Sequence, residues 1–212
     1  MNQLFSVMLF VVLFHSPLLI DNCYAYQLPD SGQTKCYQVV APYDEIPCAG
    51  TGQDGAYSIN PISFSDRGDG TVSDNNTGLV WQKCSVGQNN DETCSGTAAR
   101  FNWYQASGTF NATDNSTTQN VCSIVTLSGN SDWRLPSKKE LMSIVDYSIP
   151  YLDGATIQQA WFPNTVVSSS YWSSTTFEAF QVGAWGVDFS NGGIDYLPRS
   201  NSYFVRCVRG RQ

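Results

Sequence analysis

Histidine is almost absent from this 212-residue sequence, and the one copy, His15, lies in a hydrophobic run at residues 4–20. Residues 23–25 read Cys-Tyr-Ala, the small-x-small pattern at which signal peptidase cleaves. We therefore predict that residues 1–25 form a secretory signal, although no lysine or arginine precedes the run. A retained anchor is the alternative, but the run falls short of the ~20 residues that a membrane span needs.

Loss of His15 with the signal would leave no imidazole in the mature chain. Ser-His-Asp and Cys-His mechanisms would then lack their base, and histidine metal sites would lack their ligand. A carboxylate pair for glycoside hydrolysis remains conceivable, with Asp188, Asp195 or Glu178 as candidates. A turn between two strands explains the two aspartates more simply, so we expect no catalytic residues, metal or cofactor.

Charged residues are also scarce, at 14% of the chain, and the net charge is −7. An acidic balance of this kind argues against nucleic acid as a partner. Glycine, serine, threonine, asparagine and aromatic residues are abundant instead. This composition is typical of a loop-rich, β-containing extracellular domain and not of a helical bundle.

Seven cysteines are present, and Cys23 belongs to the predicted signal, which leaves six: Cys36, Cys48, Cys84, Cys94, Cys122 and Cys207. An even number in an exported chain is typical of disulfides. Cys36 with Cys48 and Cys84 with Cys94 are the local pairings. If all six are bridged, no thiolate nucleophile survives.

The mature chain divides into a leader and a domain. Residues 26–61 are predicted to be an irregular leader that has a local disulfide and too few apolar residues to fold alone. From residue 62, short alternating segments separated by turns at residues 67–70 and 75–78 predict a β-meander. The nearby aspartates Asp66, Asp69 and Asp74 fit turn chemistry better than a calcium loop, because a loop counted from Asp66 has glycine at two ligand positions.

One helix has a clear start in the sequence. Pro136 favours extended chain before it, and Ser137 with Glu140 three residues later predicts a capping box. An apolar stripe at helical spacing follows at Leu141, Ile144 and Val145. We interpret this helix as a structural brace, with a catalytic role for Arg134 or Glu140 as the weaker hypothesis.

The remaining helices and strands are predicted from shorter sequence patterns. Helical starts are predicted at residues 101–106 and 156–160, and the polar residues 108–119 should form an exposed insertion. The C-terminal part is predicted to form strands at residues 171–175, 184–189, 194–196 and 203–209, with a hairpin turn at residues 191–193.

Five motifs occur in order: Phe64-x-Asp66-x-Gly68-Asp69-Gly70-Thr71-Val72-x-Asp74, Thr77-Gly78-Leu79-x-Trp81-Gln82-Lys83, Asp132-Trp133-Arg134-Leu135-Pro136, Tyr171-Trp172-Ser173-Ser174-Thr175 and Val205-Arg206-Cys207-Val208-Arg209. Together they resemble the Lcl C-terminal domain family, named for the collagen-like adhesin of Legionella. The resemblance covers about residues 62–210, and we place the domain at residues 62–212. Residues 28–48 resemble a leader found ahead of such domains.

The resemblance implies an α+β, C-type-lectin-like domain with a twisted antiparallel sheet, two or three short helices, long loops and disulfide staples. It also implies that Cys122 pairs with Cys207. Residues 134–140 are similar to a motif of formylglycine-generating enzymes, whose activity depends on reactive cysteines near the C-terminus. With Cys207 in a disulfide, that activity does not carry over, and a vestigial enzyme is the least favoured alternative.

We therefore expect an exported bacterial binding module, secreted, periplasmic or at the cell surface, that acts in adhesion. Trp172 and Trp185 lie on predicted strands with polar neighbours that include Ser174 and Asp188, a combination that suits sugar recognition. Trp81 and Trp133 are expected to fill the core instead.

A cluster of arginines near the C-terminus adds a second candidate ligand. These residues are Arg199, Arg206, Arg209 and Arg211. Guanidinium groups bind sulfate and carboxylate bidentately, so a glycosaminoglycan-like polyanion is an expected partner. The alternative is that Arg206 is paired within the structure and that the C-terminal tail is merely solvated. The alternative class is a structural or assembly subunit, with a homo-oligomer as one form of it, whose aromatic surface contacts other protein chains.

Overall fold

The computed structural model describes residues 29–109, 120–150 and 153–210. The predicted signal and most of the predicted polar insertion lie outside these residues. Within them the fold is α+β, with two short helices, α1 (Trp103–Ser107) and α2 (Lys138–Met142). Neither helix has the length and apolar character needed to cross a membrane, and no other helix in the described ranges does.

Eleven strands in the described ranges form three sheets. The leader contributes a two-stranded sheet of β1 (Cys36–Tyr37) and β2 (Glu45–Ile46). The four-stranded sheet has the order β11-β5-β4-β3, with β3 (Phe64–Asp66), β4 (Thr71–Asp74), β5 (Val80–Gln82) and β11 (Val208–Arg209). The five-stranded sheet has the order β6-β10-β7-β8-β9, with β6 (Arg100–Phe101), β7 (Tyr171–Thr176), β8 (Gly183–Asp188), β9 (Gly193–Pro198) and β10 (Tyr203–Phe204).

Strands β3, β4 and β5 are the predicted meander, and their aspartates serve the turns. Asp66 accepts a hydrogen bond from the Gly68 N–H, and Asp69 accepts one from the Thr71 N–H. Asp74 does the same for Asn76. In each case the carboxylate caps a backbone N–H two residues ahead, which is the turn chemistry that the sequence predicts.

The five-stranded sheet separates two hydrophobic cores. One core lies between it and the four-stranded sheet and includes Trp81, Tyr171 and the apolar face of α2. The other lies on the opposite side and includes Trp103 of α1, Trp133 and the cystine of Cys122. Trp81 and Trp133 are both buried, so the expectation that they fill the core is confirmed.

Residues 203–209 do not form the single strand that their sequence predicts. Tyr203 and Phe204 pair in the five-stranded sheet, where β10 runs parallel to β7, while Val208 and Arg209 pair with β5 in the other sheet. The chain between them crosses from one sheet to the other. The pairing of β10 with β7 is also the one exception to antiparallel order in the described sheets.

Arg206, inside this crossing, is fully buried. Its Nη1 donates to the carbonyl oxygens of Gln82 and Lys83, the first at 3.0 Å. Its Nη2 donates to the hydroxyl oxygens of Ser85 and Thr165, at 3.3 and 2.8 Å. The guanidinium therefore joins the end of β5, the loop after it and a loop of the C-terminal half.

The structure contains the three expected disulfides, Cys36–Cys48, Cys84–Cys94 and Cys122–Cys207. The third closes the longest loop, with a sequence separation of 85 residues. A loop of this length is worth about 4 to 5 kcal/mol in the chain-entropy model. It fixes the crossing segment at the residue next to Arg206.

Helix α2 begins as predicted, because Ser137 and Glu140 form a capping box. Glu140 also makes a bidentate ion pair with Arg134, with Nη–Oε distances of 2.8 and 2.7 Å. Arg134 in turn exchanges both backbone hydrogen bonds with Val208 of β11. The helix is thus tied to the four-stranded sheet. At residues 156–160, where a short helical turn is predicted, no helix forms, but the Gln158 carbonyl accepts hydrogen bonds from the Trp161 and Phe162 N–H groups in one turn that begins two residues later.

Replacing Arg206 with methionine would leave the carbonyls of Gln82 and Lys83 and the hydroxyl of Thr165 without their donor. Because each buried group left unpaired costs about 1–3 kcal/mol, we expect the free energy of unfolding to fall by about 3 kcal/mol or more. Urea denaturation of the oxidised protein measures this. Arg67→Met, on an exposed turn, is the control and should change stability by no more than about 0.5 kcal/mol. An Arg206→Met protein as stable as the wild type would contradict this role.

The Glu140 ion pair predicts a pH dependence. Burial raises the pKa of Glu140, but hydrogen bonds from Arg134 and the Ser137 N–H outweigh it and hold the pKa below its ordinary value. Such a carboxylate stabilises the fold above its unfolded pKa, and this contribution is lost as the pH falls through the folded pKa.

Glu140→Gln should therefore lower the free energy of unfolding by about 1–3 kcal/mol at pH 7. The difference from wild type should shrink below about pH 4, where the unfolded carboxyl is protonated. Urea denaturation across this pH range measures it, with the exposed Glu178→Gln as control. A difference that stays constant down to the lowest pH at which the protein folds would be incompatible with the ion pair as its cause.

Candidate binding surface

Four aromatic side chains form a surface cluster on the hairpin of β8 and β9. The register of this hairpin places Trp185 directly opposite Tyr196. Phe177 stacks on Tyr196 with ring centroids 5.0 Å apart, and it contacts Trp185 edge-on at the same distance. Phe180 meets Tyr196 edge-on at 6.4 Å. We call these four residues the aromatic surface.

The loop between β7 and β8 brings the two phenylalanines to the hairpin. Its backbone is closed by hydrogen bonds from the Phe177 N–H to Gly183, from Phe180 to Phe177, and from Gly183 to Phe180. A register shift between Trp172 and Thr176 of β7 precedes the loop. A shift of this kind re-aims the residues that follow it. The loop is therefore fixed, and its aromatic rings are held against the hairpin.

Exposure increases from the interior outwards across the aromatic surface. Trp185 is half-buried, whereas 52% of Tyr196 and a similar fraction of Phe180 are accessible to solvent. Val182, beside them in sequence, is also exposed. Offset and edge-on contacts between aromatic rings stabilise such a cluster by about 0.5–1.5 kcal/mol per pair. The rings thus support one another while Tyr196 and Phe180 face the solvent.

A cation lies against this surface. Lys138, the first residue of α2, places its Nζ 4.2 Å from the ring centroid of Trp185. The helix start is fixed to β7, because the Lys138 N–H donates to the Thr175 hydroxyl at 2.9 Å and the Ser174 N–H donates to the Pro136 carbonyl at 2.7 Å. The ammonium group gains a cation–π contact and offers a donor beside the exposed rings.

Trp172 does not belong to this surface, although the sequence suggests it as a ligand-binding residue. Its side chain is fully buried, its indole N–H donates to the Phe101 carbonyl at 2.8 Å, and Tyr203 packs edge-on against its ring. It faces the core that contains α1. A ring without solvent access cannot stack on a ligand, so its assignment as a ligand-binding residue was wrong.

Ser174 and Asp188, the polar candidates, have different positions. Ser174 is exposed on β7, next to the residues that anchor α2. Asp188 ends β8 and accepts a hydrogen bond from the Ser190 N–H at 2.8 Å, so its carboxylate organises the hairpin turn. It is three residues from Trp185, and an odd spacing places it on the opposite face of the strand. The structure therefore places Asp188 on the face opposite Trp185, while Ser174 lies on the strand that pairs with β8.

The four C-terminal arginines do not form a common patch in the described residues. Arg206 is buried, as described above. Arg199 stacks on the ring of Trp103 at 4.4 Å and donates to the Gly183 carbonyl. Arg209 makes an ion pair with Asp132 at 2.7 Å. Arg211 lies outside the described residues. Arg206 therefore cannot contact a polyanion, and its assignment as a ligand-binding residue is wrong, whereas the alternative that it is paired within the structure is confirmed. A polyanion bound by Arg199 and Arg209 stays a prediction.

Sequence reasoning identified Trp185 but missed Phe177, Phe180, Tyr196 and Lys138 as its neighbours. The signal for Tyr196 was present, since the turn at residues 191–193 sets the register that pairs it with Trp185. The contact with Lys138 has no local signal, because α2 lies far from β8 in sequence. It depends on the tertiary packing of α2 against β7 and β8.

A cleft of about 310 Å³ lies elsewhere, between the leader and the domain. Asp146 is its most buried acidic residue, and both carboxylate oxygens are engaged, with Ser148 and with the Gln158 side chain. The described ranges contain no group of three or more residues suited to hold a metal ion. The aromatic surface is therefore the better candidate for ligand recognition.

Comparison with known proteins agrees with the motifs in the sequence. The family model of the Lcl C-terminal domain matches residues 70–209, about two thirds of the chain. No curated protein matches the chain. The matched range runs from the turn before β4 to the end of β11, so it includes the five-stranded sheet, the four-stranded sheet apart from β3, α2 and the aromatic surface. This chain belongs to the Lcl C-terminal domain family.

Proposed function

We propose that this protein is an exported, non-catalytic binding module that recognises carbohydrate through the aromatic surface. The observation that carries the proposal is the arrangement of Trp185 and Tyr196 side by side on one hairpin, with Phe177 and Phe180 packed around them. Membership of the Lcl C-terminal domain family supports an adhesin-like module. Three disulfides are compatible with an extracellular location.

The chemistry of the surface suits a sugar. A pyranose ring presents apolar C–H groups on its faces and hydroxyl groups around its edge. Tyr196 can stack on such a face with its aromatic ring and exchange hydrogen bonds through its hydroxyl group. Lys138 adds three N–H donors at the border of the surface. Apolar contact combined with a few placed polar groups is the usual composition of a small-ligand site.

Binding of sugars that carry a negative charge is a more specific version of the carbohydrate proposal. The described arginines are engaged with the protein, and Lys138 is the cation seen in contact with a ring of the aromatic surface. One lysine gives a weak and salt-dependent preference for a carboxylate or sulfate group. Carbohydrate binding should therefore weaken only modestly as salt is raised, in contrast to the strong salt dependence expected of an arginine cluster.

A protein partner is the second candidate for this surface. Phe180 and Val182 are exposed next to Tyr196, and they carry no polar group that a sugar could use. Exposed aromatic and aliphatic side chains in one patch are also typical of contacts between protein chains. On this hypothesis the protein is an assembly subunit, and a stable homo-oligomer would dissociate when the patch is made polar.

Tyr196→Ala removes the exposed ring of the aromatic surface that has both stacking and hydrogen-bonding capacity. On a broad glycan array, we expect the oxidised wild-type protein to bind a defined set of glycans. We expect Tyr196→Ala to lower the affinity for them about tenfold or more, as loss of a central aromatic contact does in other interfaces. Titration calorimetry with the best glycan gives the fold-change.

Tyr57→Ala is the matched control, since 54% of Tyr57 is exposed and it lies in the leader away from the hairpin. It should bind as the wild type does. Uniformly weak signal across the array would rule out carbohydrate recognition. Sedimentation of both variants then tests the second candidate, an assembly subunit. That candidate requires an oligomer that Tyr196→Ala disrupts and Tyr57→Ala does not.

A further inference from the structure

The leader carries an apolar loop that the proposed function does not use. Residues 37–43, which we call the apolar tip, connect β1 to β2 and read Tyr-Gln-Val-Val-Ala-Pro-Tyr. Val39 is 89% exposed and Val40 61%, and both tyrosines of the tip are exposed as well. The tip contains no charged residue. Four exposed apolar or aromatic side chains in one seven-residue loop are unusual for a surface that meets only water.

The apolar tip has a fixed conformation. Cys36–Cys48 closes its base, and the Gln38 N–H donates to the Asp44 carbonyl at 3.0 Å. Within the loop, the Tyr43 N–H donates to the Val40 carbonyl at 2.9 Å. The Gln53 side chain binds both the N–H and the carbonyl of Tyr37. The side chains are therefore presented before any partner arrives, and little conformational entropy remains to be lost on binding.

The side chains of the tip are arranged in layers. Val39 and Val40 occupy the middle of the loop, and Tyr37 and Tyr43 flank them. At the base, Lys35 and Glu45 form an exposed ion pair at 2.8 Å. This order matches the layers of a membrane surface. Apolar side chains suit the hydrocarbon of a bilayer, tyrosines suit its interface, and charged side chains suit the water outside.

We propose that the apolar tip inserts into the interface of a lipid bilayer made of uncharged lipid. A convex tip without charges can enter a deformable phase, whereas a protein partner would need a groove shaped for it. The tip is also the described apolar segment nearest in sequence to the hydrophobic run at residues 4–20.

The charge of the protein determines which type of lipid the apolar tip should bind more strongly. The chain has a net charge of −7, and Asp44 and Glu45 lie at the base of the tip. Anionic lipid would repel these carboxylates, because a negative surface potential attracts basic segments and disfavours acidic ones. Contact with zwitterionic lipid, such as phosphatidylcholine, should therefore be stronger. Four side chains give a weak and reversible attachment, which suits a protein that holds a surface ligand at a second site.

Sedimentation with large vesicles tests the proposal. The probe is phosphatidylcholine alone or mixed with phosphatidylglycerol, and the sample is the exported protein with its disulfides intact and its N-terminus determined by mass spectrometry. We expect wild-type protein to partition onto phosphatidylcholine, and more weakly onto the anionic mixture. The double variant Val39→Ser/Val40→Ser should lower partitioning about tenfold or more, since it removes the exposed apolar end.

Ile59→Ser/Ile124→Ser is the matched control, because both isoleucines are exposed and lie outside the tip. It should partition as the wild type does. Tyr196→Ala should leave vesicle binding unchanged, and the tip variant should leave glycan binding unchanged, so the two sites are tested separately. Absence of binding to either vesicle, or equal binding by the tip variant and the wild type, would overturn the proposal, as would tighter binding to the anionic mixture.

Discussion

The buried guanidinium of Arg206 is the interaction on which the rest of the fold depends. Its hydrogen-bond partners in the described structure are two carbonyls and two hydroxyls from the end of β5, the loop after it and a loop of the C-terminal half. Burial lowers the pKa of Arg206, and interaction with Tyr171 opposes this change. Burying a charge is costly unless hydrogen bonds compensate it, and here both Nη atoms are bonded while the buried Nε has no partner among the described residues. This requirement turns the terminal chain inward between the two sheets, and Cys207 fixes it there through its disulfide.

The aromatic surface follows from this arrangement. Because β10 ends at Phe204 and enters the five-stranded sheet beside β7, the hairpin of β8 and β9 becomes the outer part of that sheet. Arg134 pairs with Val208 of β11, and the N-cap of α2, Ser137, follows three residues later, so that Lys138 reaches Trp185. The same path of the chain therefore produces both the closely packed interior and the exposed aromatic rings at the edge of the sheet. The leader, with its own disulfide, adds a separate surface.

Local signals predicted local structure well. The capping box of Ser137 and the turns of the meander rest on residues within a few positions of one another, and both are present. The burial of Arg206 could not be read from the sequence, because its partners Gln82 and Thr165 are distant along the chain and a charged residue on a strand is expected to be exposed. Trp172 and Trp185 have equivalent strand patterns. Only the packing of α1 on one face of the sheet decides which of them is covered.

The central claim is that the aromatic surface is where ligand binds. Two-dimensional ¹H–¹⁵N NMR during titration with the tightest glycan from the array tests it most directly. The account predicts saturable shifts of the Trp185 indole N–H and of the β8 and β9 amides, while the buried indoles of Trp133 and Trp172 stay unchanged. Shifts confined to the surroundings of Arg199 and Arg209, with Trp185 unaffected, would contradict it.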